Sequence, residues 1–391
     1  MKKRLLFIPA VVSSLLLSSG TLLPSPAQAS TVPAYVQLTF TNGGTLTMGY
    51  SGNAIIKDGI AYLAASTAKA AGLKITWDQT HKRAEFTGWE KSFAVRVGSR
   101  TGVLDGIPVS IGGVPFIHNK ELYIPVKFMV KALEGGTVRW DAKKRTFLAN
   151  GLHLYRSYSE TFEGTVYSVS LDTGELYSSS RQGAKLKIAD LGTGLDVVDF
   201  TFERTPGGLL LLRISNIYGE PHVNTAYFTF VLRNGAVIRK GQIAGRASFG
   251  EPAARSDGKL LLSDGRALRL VEDGTGNVAE TVDLAKLMNA DATQNADTLY
   301  HVEAFYSDIA LIRPSNTGLL TLVDRSTGAS TLLYREFFDA DRQREIEEGD
   351  PWFLGDFLRF AGRSGDTLTF TYNTGHEIIK YTHILTAAPQ Q

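Results

Sequence analysis

A segment of about 30 residues occurs twice in the first 150 positions. Ile56 to Phe86 is echoed by Ile117 to Phe147, and a duplicated unit of this size must bury its apolar side chains partly against its own copy. Each copy opens on a turn (Lys57-Asp58-Gly59; His118-Asn119-Lys120) and runs into a short strand (Tyr62-Leu63; Tyr123-Ile124). A short helix follows, then a strand carrying Trp-Asp (Trp77-Asp78; Trp140-Asp141), basic residues and a closing phenylalanine. The offset is 61 residues between the tyrosines and 63 between the tryptophans, so the length difference falls in a loop.

In the second copy Pro125 stands at the helix start, where its missing N–H costs nothing, and Phe128, Met129, Ala132 and Leu133 recur at helical spacing. Gly135-Gly136 is expected to end that helix, as Gly72 ends the one from Ala64 to Ala71. Between the copies, Ala94 to Gly98 and Val103 to Val109 read as two strands meeting at a glycine turn. Trp77 and Trp140 are expected to be buried against their own helices, whereas Trp89 and Trp352, beside glycine and proline, read as loop residues.

The run Leu122-Tyr123-Ile124-Pro125-Val126-Lys127-Phe128, through Ala132-Leu133 to Val138-Arg139-Trp140-Asp141, resembles the repeat of the copper amine oxidase N-terminal-like domain, often called a stalk domain. The resemblance covers residues 35–151 and takes in Val97-Gly98, Asp105-Gly106 and Gly113-Val114-Pro115. The first copy departs from it, with Ala64-Ala65-Ser66 where the second has Pro125-Val126-Lys127. What the resemblance implies is a non-catalytic α+β module that packs against or projects other domains. Oxidase chemistry would need a His-x-His pair with a third histidine for copper, and a tyrosine in an Asn-Tyr context for the quinone. The seven histidines (His81, His118, His153, His222, His301, His376, His383) include no such pair, and there is no Asn-Tyr dipeptide. Neither copper nor a quinone cofactor is expected.

The opening residues Met1-Lys2-Lys3-Arg4, the apolar stretch Leu5 to Leu17 and the small-x-small Ala27-Gln28-Ala29 have the layout of a secretory signal peptide, cleaved after Ala29. Three of the 41 basic residues lie in that leader, so the chain from Ser30 has 38 against 39 acids, a charge of about −1. Such a surface offers no footprint for nucleic acid or anionic lipid, and no later apolar run is long enough for a bilayer. With no cysteine, the fold must rest on burial.

Residues 155–386 read as a mainly-β region: β-branched and aromatic runs such as Thr165 to Val169 and Tyr227 to Leu232, broken by turns at Gly174, Gly235, Gly276, Gly328 and Gly375. Intervals of 61, 41, 52 and 47 residues suit a β-propeller-like domain of about five blades, with a β-sandwich or stacked meander as the alternative. Two helices are expected, over Val282 to Asn289 and Phe337 to Glu348. The acids Asp339, Asp341, Glu345, Glu347, Glu348 and Asp350 could suggest a calcium site or a glycosidase carboxylate pair, but they interleave with Arg342 and Arg344 and lack a calcium-loop ladder, so they read as a solvated helix face. Gly192-Thr193-Gly194 reads as a turn, and no Gly-x-Ser-x-Gly or His-Glu-x-x-His is present. No catalytic, cofactor-binding or metal-binding residue is assigned, and no ligand-binding residue can be named.

These features together point to a secreted, non-enzymatic cell-envelope or extracellular protein, in which a stalk-like module supports a propeller-like binding domain. Its expected partners are cell-wall or extracellular polysaccharide or another envelope protein. The alternative is a carbohydrate-active hydrolase or lyase with its carboxylates assembled in the rear region.

Overall fold

The computed structural model describes residues 31–42, 45–180, 185–290, 297–349 and 354–385; the leader, Asp350 and Trp352 lie outside them. The described residues are mainly β, 56% strand and 9% helix.

In the front part the two copies pair with each other. Tyr62, Leu63 and Ala64 stand opposite Pro125, Ile124 and Tyr123 in antiparallel register, so equivalent strands are related by a local two-fold centred on Leu63 and Ile124, both fully buried. Each strand is entered through a two-residue hairpin turn with both residues at positive φ, Asp58-Gly59 (52° and 74°) and Asn119-Lys120 (49° and 65°). These strands sit in a seven-stranded sheet whose order is Val138–Asp141, Thr146–Leu152, Val32–Asn42, Thr45–Lys57, Ile60–Ala64, Glu121–Pro125, Phe116–His118. The first copy's Trp-Asp hairpin instead starts a separate five-stranded sheet.

In both hairpins the aspartate closes the turn. Asp78 Oδ1 accepts from the His81 N–H, and Asp141 Oδ1 accepts from those of Lys143 and Lys144. Lys82 and Arg145 then both take φ 49°. The 63-residue offset therefore holds here, and it sets Phe147 equivalent to Ala84, not to Phe86. Trp77 stands opposite Ala84 and Trp140 opposite Phe147. Both tryptophans lie on outermost strands of their sheets, where no further layer covers them. They are 38% and 40% exposed, which corrects the expected burial.

Pro125 does cap helix α1 (Val126–Ala132), and Phe128, Met129, Ala132 and Leu133 fill the core. The first copy, without proline, forms a 3-10 helix over Ala65–Ala71, closed by Gly72 at φ 81°. Helix α1 stops before the expected glycine pair: Glu134 takes φ 55°, and Gly135 N–H bonds back to Val130 O. What holds Glu134 there is Lys91, whose buried Nζ lies 2.6 Å from its carboxylate and 2.9 Å from that of Asp105. Burial alone would lower the Lys91 pKa; the two carboxylates outweigh it and raise it. Asp105-Gly106 is a two-residue turn (φ 49° and 82°), so Thr101–Leu104 and Ile107–Ser110 form a hairpin within the run Val103 to Val109.

The rear part is a series of antiparallel meanders, each completed before the next begins: sheet I (157–190), II (197–246), III (255–283) and IV (300–332), each with four strands, and sheet V (359–384) with three. The turn glycines predicted from sequence all have positive φ, but they sit at different connections. Gly174 and Gly375 join the second and third strands of their sheets, whereas Gly235, Gly276 and Gly328 join the third and fourth. That mixture accounts for the uneven intervals.

Alternation along the strands gives each sheet two apolar faces. Leu210, Leu212 and Ile214 pack toward Val169 and Leu176 of sheet I, while Leu209 and Leu211 pack with Leu260 and Leu262 of sheet III. Ala310 and Ile312 face sheet III, and Ile309 and Leu311 join Leu368 and Phe370 of sheet V. Close approach at one junction requires glycine: a Cβ on Gly207 would lie 2.4 Å from Gly274 N. Arginine–carboxylate pairs also bridge successive sheets (Arg204–Glu163, Arg255–Glu203, Arg325–Glu280, Arg363–Asp308). Exposed pairs of this kind contribute about 0.2–1 kcal/mol each, against about 2–5 for one buried leucine, so the apolar faces dominate.

The expected helices are shorter than predicted. Asp283 caps Leu284–Leu287. The second splits into Tyr334–Phe337 and Ala340–Glu348, because Phe338 is extended and Asp339 starts a new helix by accepting from Arg342 N–H.

Candidate functional site

Four places could carry function: the junction between front and rear, a buried ionic knot in the rear, an apolar groove on the front part, and a cleft beside the helix Ala340–Glu348.

The junction is built by residues 153–156, which are tied on both sides. His153 N–H bonds to Leu133 O, Tyr155 N–H to Ala71 O and Trp89 N–H to Tyr155 O. Arg156 donates through its backbone N–H, Nε and Nη2 to Asp172 of sheet I at 2.7–2.9 Å, and its carbonyl accepts from Leu171 N–H. Glycine lets the segment pass, since a Cβ on Gly72 would lie 2.6–2.9 Å from Arg156. Trp89 lies in the turn between Arg83–Gly88 and Lys91–Arg96, as its neighbours suggest, and is 9% exposed. Its ring meets Tyr177 edge-on at 5.2 Å, and Lys185 Nζ lies 3.6 Å above it. Tyr177 can reach it because it points to the opposite face from Leu176, which packs toward sheet II.

The ionic knot centres on Arg313, fully buried on sheet IV. Its guanidinium donates to Glu303, to Asp356 at 2.6 Å, and to the carbonyls of Gly318 and Leu358. Asp356 also accepts from the N–H groups of Leu320 and Leu358. Burial pushes the Glu303 pKa up, but the Arg313 charge and hydrogen bond hold it below the usual range. Beside them His301, 2% exposed, donates from Nε2 to Gly250 O at 2.6 Å, and its Nδ1 has no partner. Burial, its largest influence, pulls His301 down to about 4, so it is neutral at pH 7. Tyr227 of sheet II and Arg359 of sheet V complete the cluster. Arg359 donates to Ala247 O, and its Nη1 is unpartnered. One oxygen of each carboxylate meets Arg313, that of Glu303 accepting also from the Gly250 N–H, and the knot's evident work is to fasten sheet IV to the segment entering sheet V. No sequence motif announces it; the one signal was an Arg and a Glu inside otherwise apolar strands, Ile312-Arg313 and Val302-Glu303.

The groove, about 380 Å³, is lined by Ile56, Ile60, Pro125, Val138, Trp140 and Phe147. The Trp140 and Phe147 rings stand 4.4 Å apart, with Trp140 open to solvent. A larger cavity, about 750 Å³, lies beside Tyr334, Arg342 and Glu347. There Tyr334 and Arg335 both donate to Glu347. The acidic stretch read as a solvated helix face thus lines a cleft on one side. Among the described residues no group of three or more His, Asp or Glu is placed to hold a metal, and no helix is long and apolar enough to cross a membrane.

This defines a mainly-β protein of stacked meanders joined to a duplicated front module. Residues 40–149 of that module match the copper amine oxidase N-terminal domain family. No curated protein matches the chain. Among solved structures, it is similar at 9% identity and a TM-score of 0.26 to the dihydro-heme d1 dehydrogenase NirN, over 72% of this chain and 62% of that one. Hsv2 of Kluyveromyces lactis gives 10% identity and 0.21 over 80% and 98% of the two chains. AztD of Citrobacter koseri gives 9% and 0.20 over 71% and 90%. At these scores the likenesses carry no argument about fold or activity.

Proposed function

We propose that this chain is an exported, non-enzymatic binding or scaffold protein of the cell envelope or extracellular space, in which the front module holds a propeller-like rear region in a fixed orientation. The observation that carries this reading is the junction. Residues 153–156 bond to the front core and to sheet I alike, so the connection lacks the free backbone of a flexible linker. A propeller-like arrangement is supported by five meanders in chain order, each packed on the next. It is supported further by the inward meeting of sheets that are not consecutive: Arg359 of sheet V reaches Ala247, beyond sheet II, and Tyr227 of sheet II lies 6.0 Å from His301 of sheet IV. In the ionic knot Glu303 and Asp356 are both bound to Arg313, so that cluster does not offer the free carboxyl group that a hydrolase or lyase would need.

The test is to incubate the chain from Ser30 with purified cell wall and extracellular polysaccharide, measuring both retention and the appearance of new chain ends. Retention with polymer length unchanged is the expected result. New chain ends would replace this reading with the enzymatic one, and absence of retention would remove polysaccharide as the partner and leave an envelope protein.

A further inference from the structure

We propose that two copies of this chain pair edge to edge along the strand Ile378–Ile384, each supplying the fourth strand that sheet V lacks. Sheets I to IV have four strands and sheet V three, with Ile378–Ile384 at its margin. An open edge strand invites another strand unless it is short, bulged or charged. The outer strands of sheets I to IV are protected in these ways. Ser330–Leu332 is short; Leu186–Asp190 and Ala236–Arg246 contain register shifts; Val278–Asp283 carries Glu280 and Asp283. Ile378–Ile384 pairs with Thr367–Asn373 without a shift and has one formally charged residue besides His383, Lys380. Its Ile378 and Ile384 are the most exposed large apolar side chains among the described residues, at 66% and 67%.

The sequence of this edge is complementary to itself. Leu385 N–H bonds inward to Asp366 O, and Glu377 O accepts inward from Thr374 N–H. By the alternation of an antiparallel ladder, Ile378, Lys380, Thr382 and Ile384 therefore turn their backbone groups outward. An antiparallel pairing centred on Tyr381 sets Ile378 against Ile384 of the other copy and Lys380 against Thr382. Every outward residue then meets an outward residue and can exchange both bonds. The isoleucines meet across strands on one face, and neither lysine faces its own copy. The strand is already fixed from its other face, where Tyr381 stacks on Phe337 at 5.0 Å and His383 contacts Glu336 at 2.7 Å.

Sedimentation equilibrium of the chain from Ser30 up to roughly 100 μM tests this. A monomer–dimer equilibrium is expected, weakened at least ~10-fold by Thr382→Pro, which removes an outward N–H and no bond of sheet V. Ile378→Lys with Ile384→Lys should do the same. Both variants should keep the parent's circular dichroism and melting temperature. A parent that stays monomeric, or a dimer indifferent to both variants, overturns the proposal. If Thr382→Pro alters folding, the double lysine variant, which leaves the backbone alone, decides.

Discussion

The front and rear regions bury their apolar side chains in different ways. In the front, two sheets and two short helices share one large cluster, from Val36 and Phe40 through Phe86 and Met129 to Leu152, beside a small one of Ile55, Tyr62, Ala64 and Tyr123. In the rear the core is a series of separate layers, each shared by two neighbouring sheets. A shared core couples every element to every other, whereas a series couples each sheet only to its neighbours. The front should therefore loosen as a unit and the rear locally, and the two meet at a junction that belongs to both.

The largest effect should come from Arg313→Met. It would strand Glu303 and Asp356 as buried, unpaired carboxylates, and breaking such a network costs about 3–5 kcal/mol. Denaturant titration should show a loss of that size, with hydrogen exchange rising in sheets IV and V and not in the front. Next, Leu311→Ala and Phe86→Ala should each cost about 2–5 kcal/mol, with different spatial patterns. Exchange should rise in sheets IV and V for Leu311→Ala and throughout the front core for Phe86→Ala; identical patterns would erase the contrast between the regions.

A smaller effect is pH-dependent. His301 is held near 4 when folded, against about 6.5 unfolded, so the unfolded chain binds a proton first as pH falls. Its contribution is fully present above pH 6.5 and is lost as pH drops toward 4, on the order of 3 kcal/mol in all. His301→Gln should flatten that part of the stability profile. The smallest effect should be that of Glu280→Gln at the exposed Arg325 pair, within about 1 kcal/mol by thermal melting.

What could be read from sequence follows the same division. Local signals carried the front well: the duplicated Tyr and Trp-Asp strands, Pro125 and Gly72 correspond to particular backbone positions, and the family match covers residues 40–149. Layering did not carry over, since nothing in Trp77 or Trp140 says that their strands end up outermost. Trp89 does lie in the turn that its neighbours Gly88 and Glu90 suggest, but nothing local says that Tyr177, nearly 90 positions away in sequence, closes over it. In the rear, alternation identified strands, but runs such as Leu209-Leu210-Leu211-Leu212 do not say which neighbour each face meets. The ionic knot left only the charges of Glu303 and Arg313 in apolar runs as a signal, because its members, from Tyr227 to Arg359, are brought together only by stacking.

The central claim is that the junction makes front and rear one rigid unit. Because the chain has no cysteine, spin labels can be placed uniquely at Lys143→Cys in the front and Asp341→Cys in the rear, both exposed, and their separation measured by pulsed electron spin resonance. A single narrow distance distribution, broadened by Trp89→Ala, is the predicted result. A broad distribution in the otherwise unaltered chain, unchanged by Trp89→Ala, would contradict the account and make residues 153–156 a flexible tether.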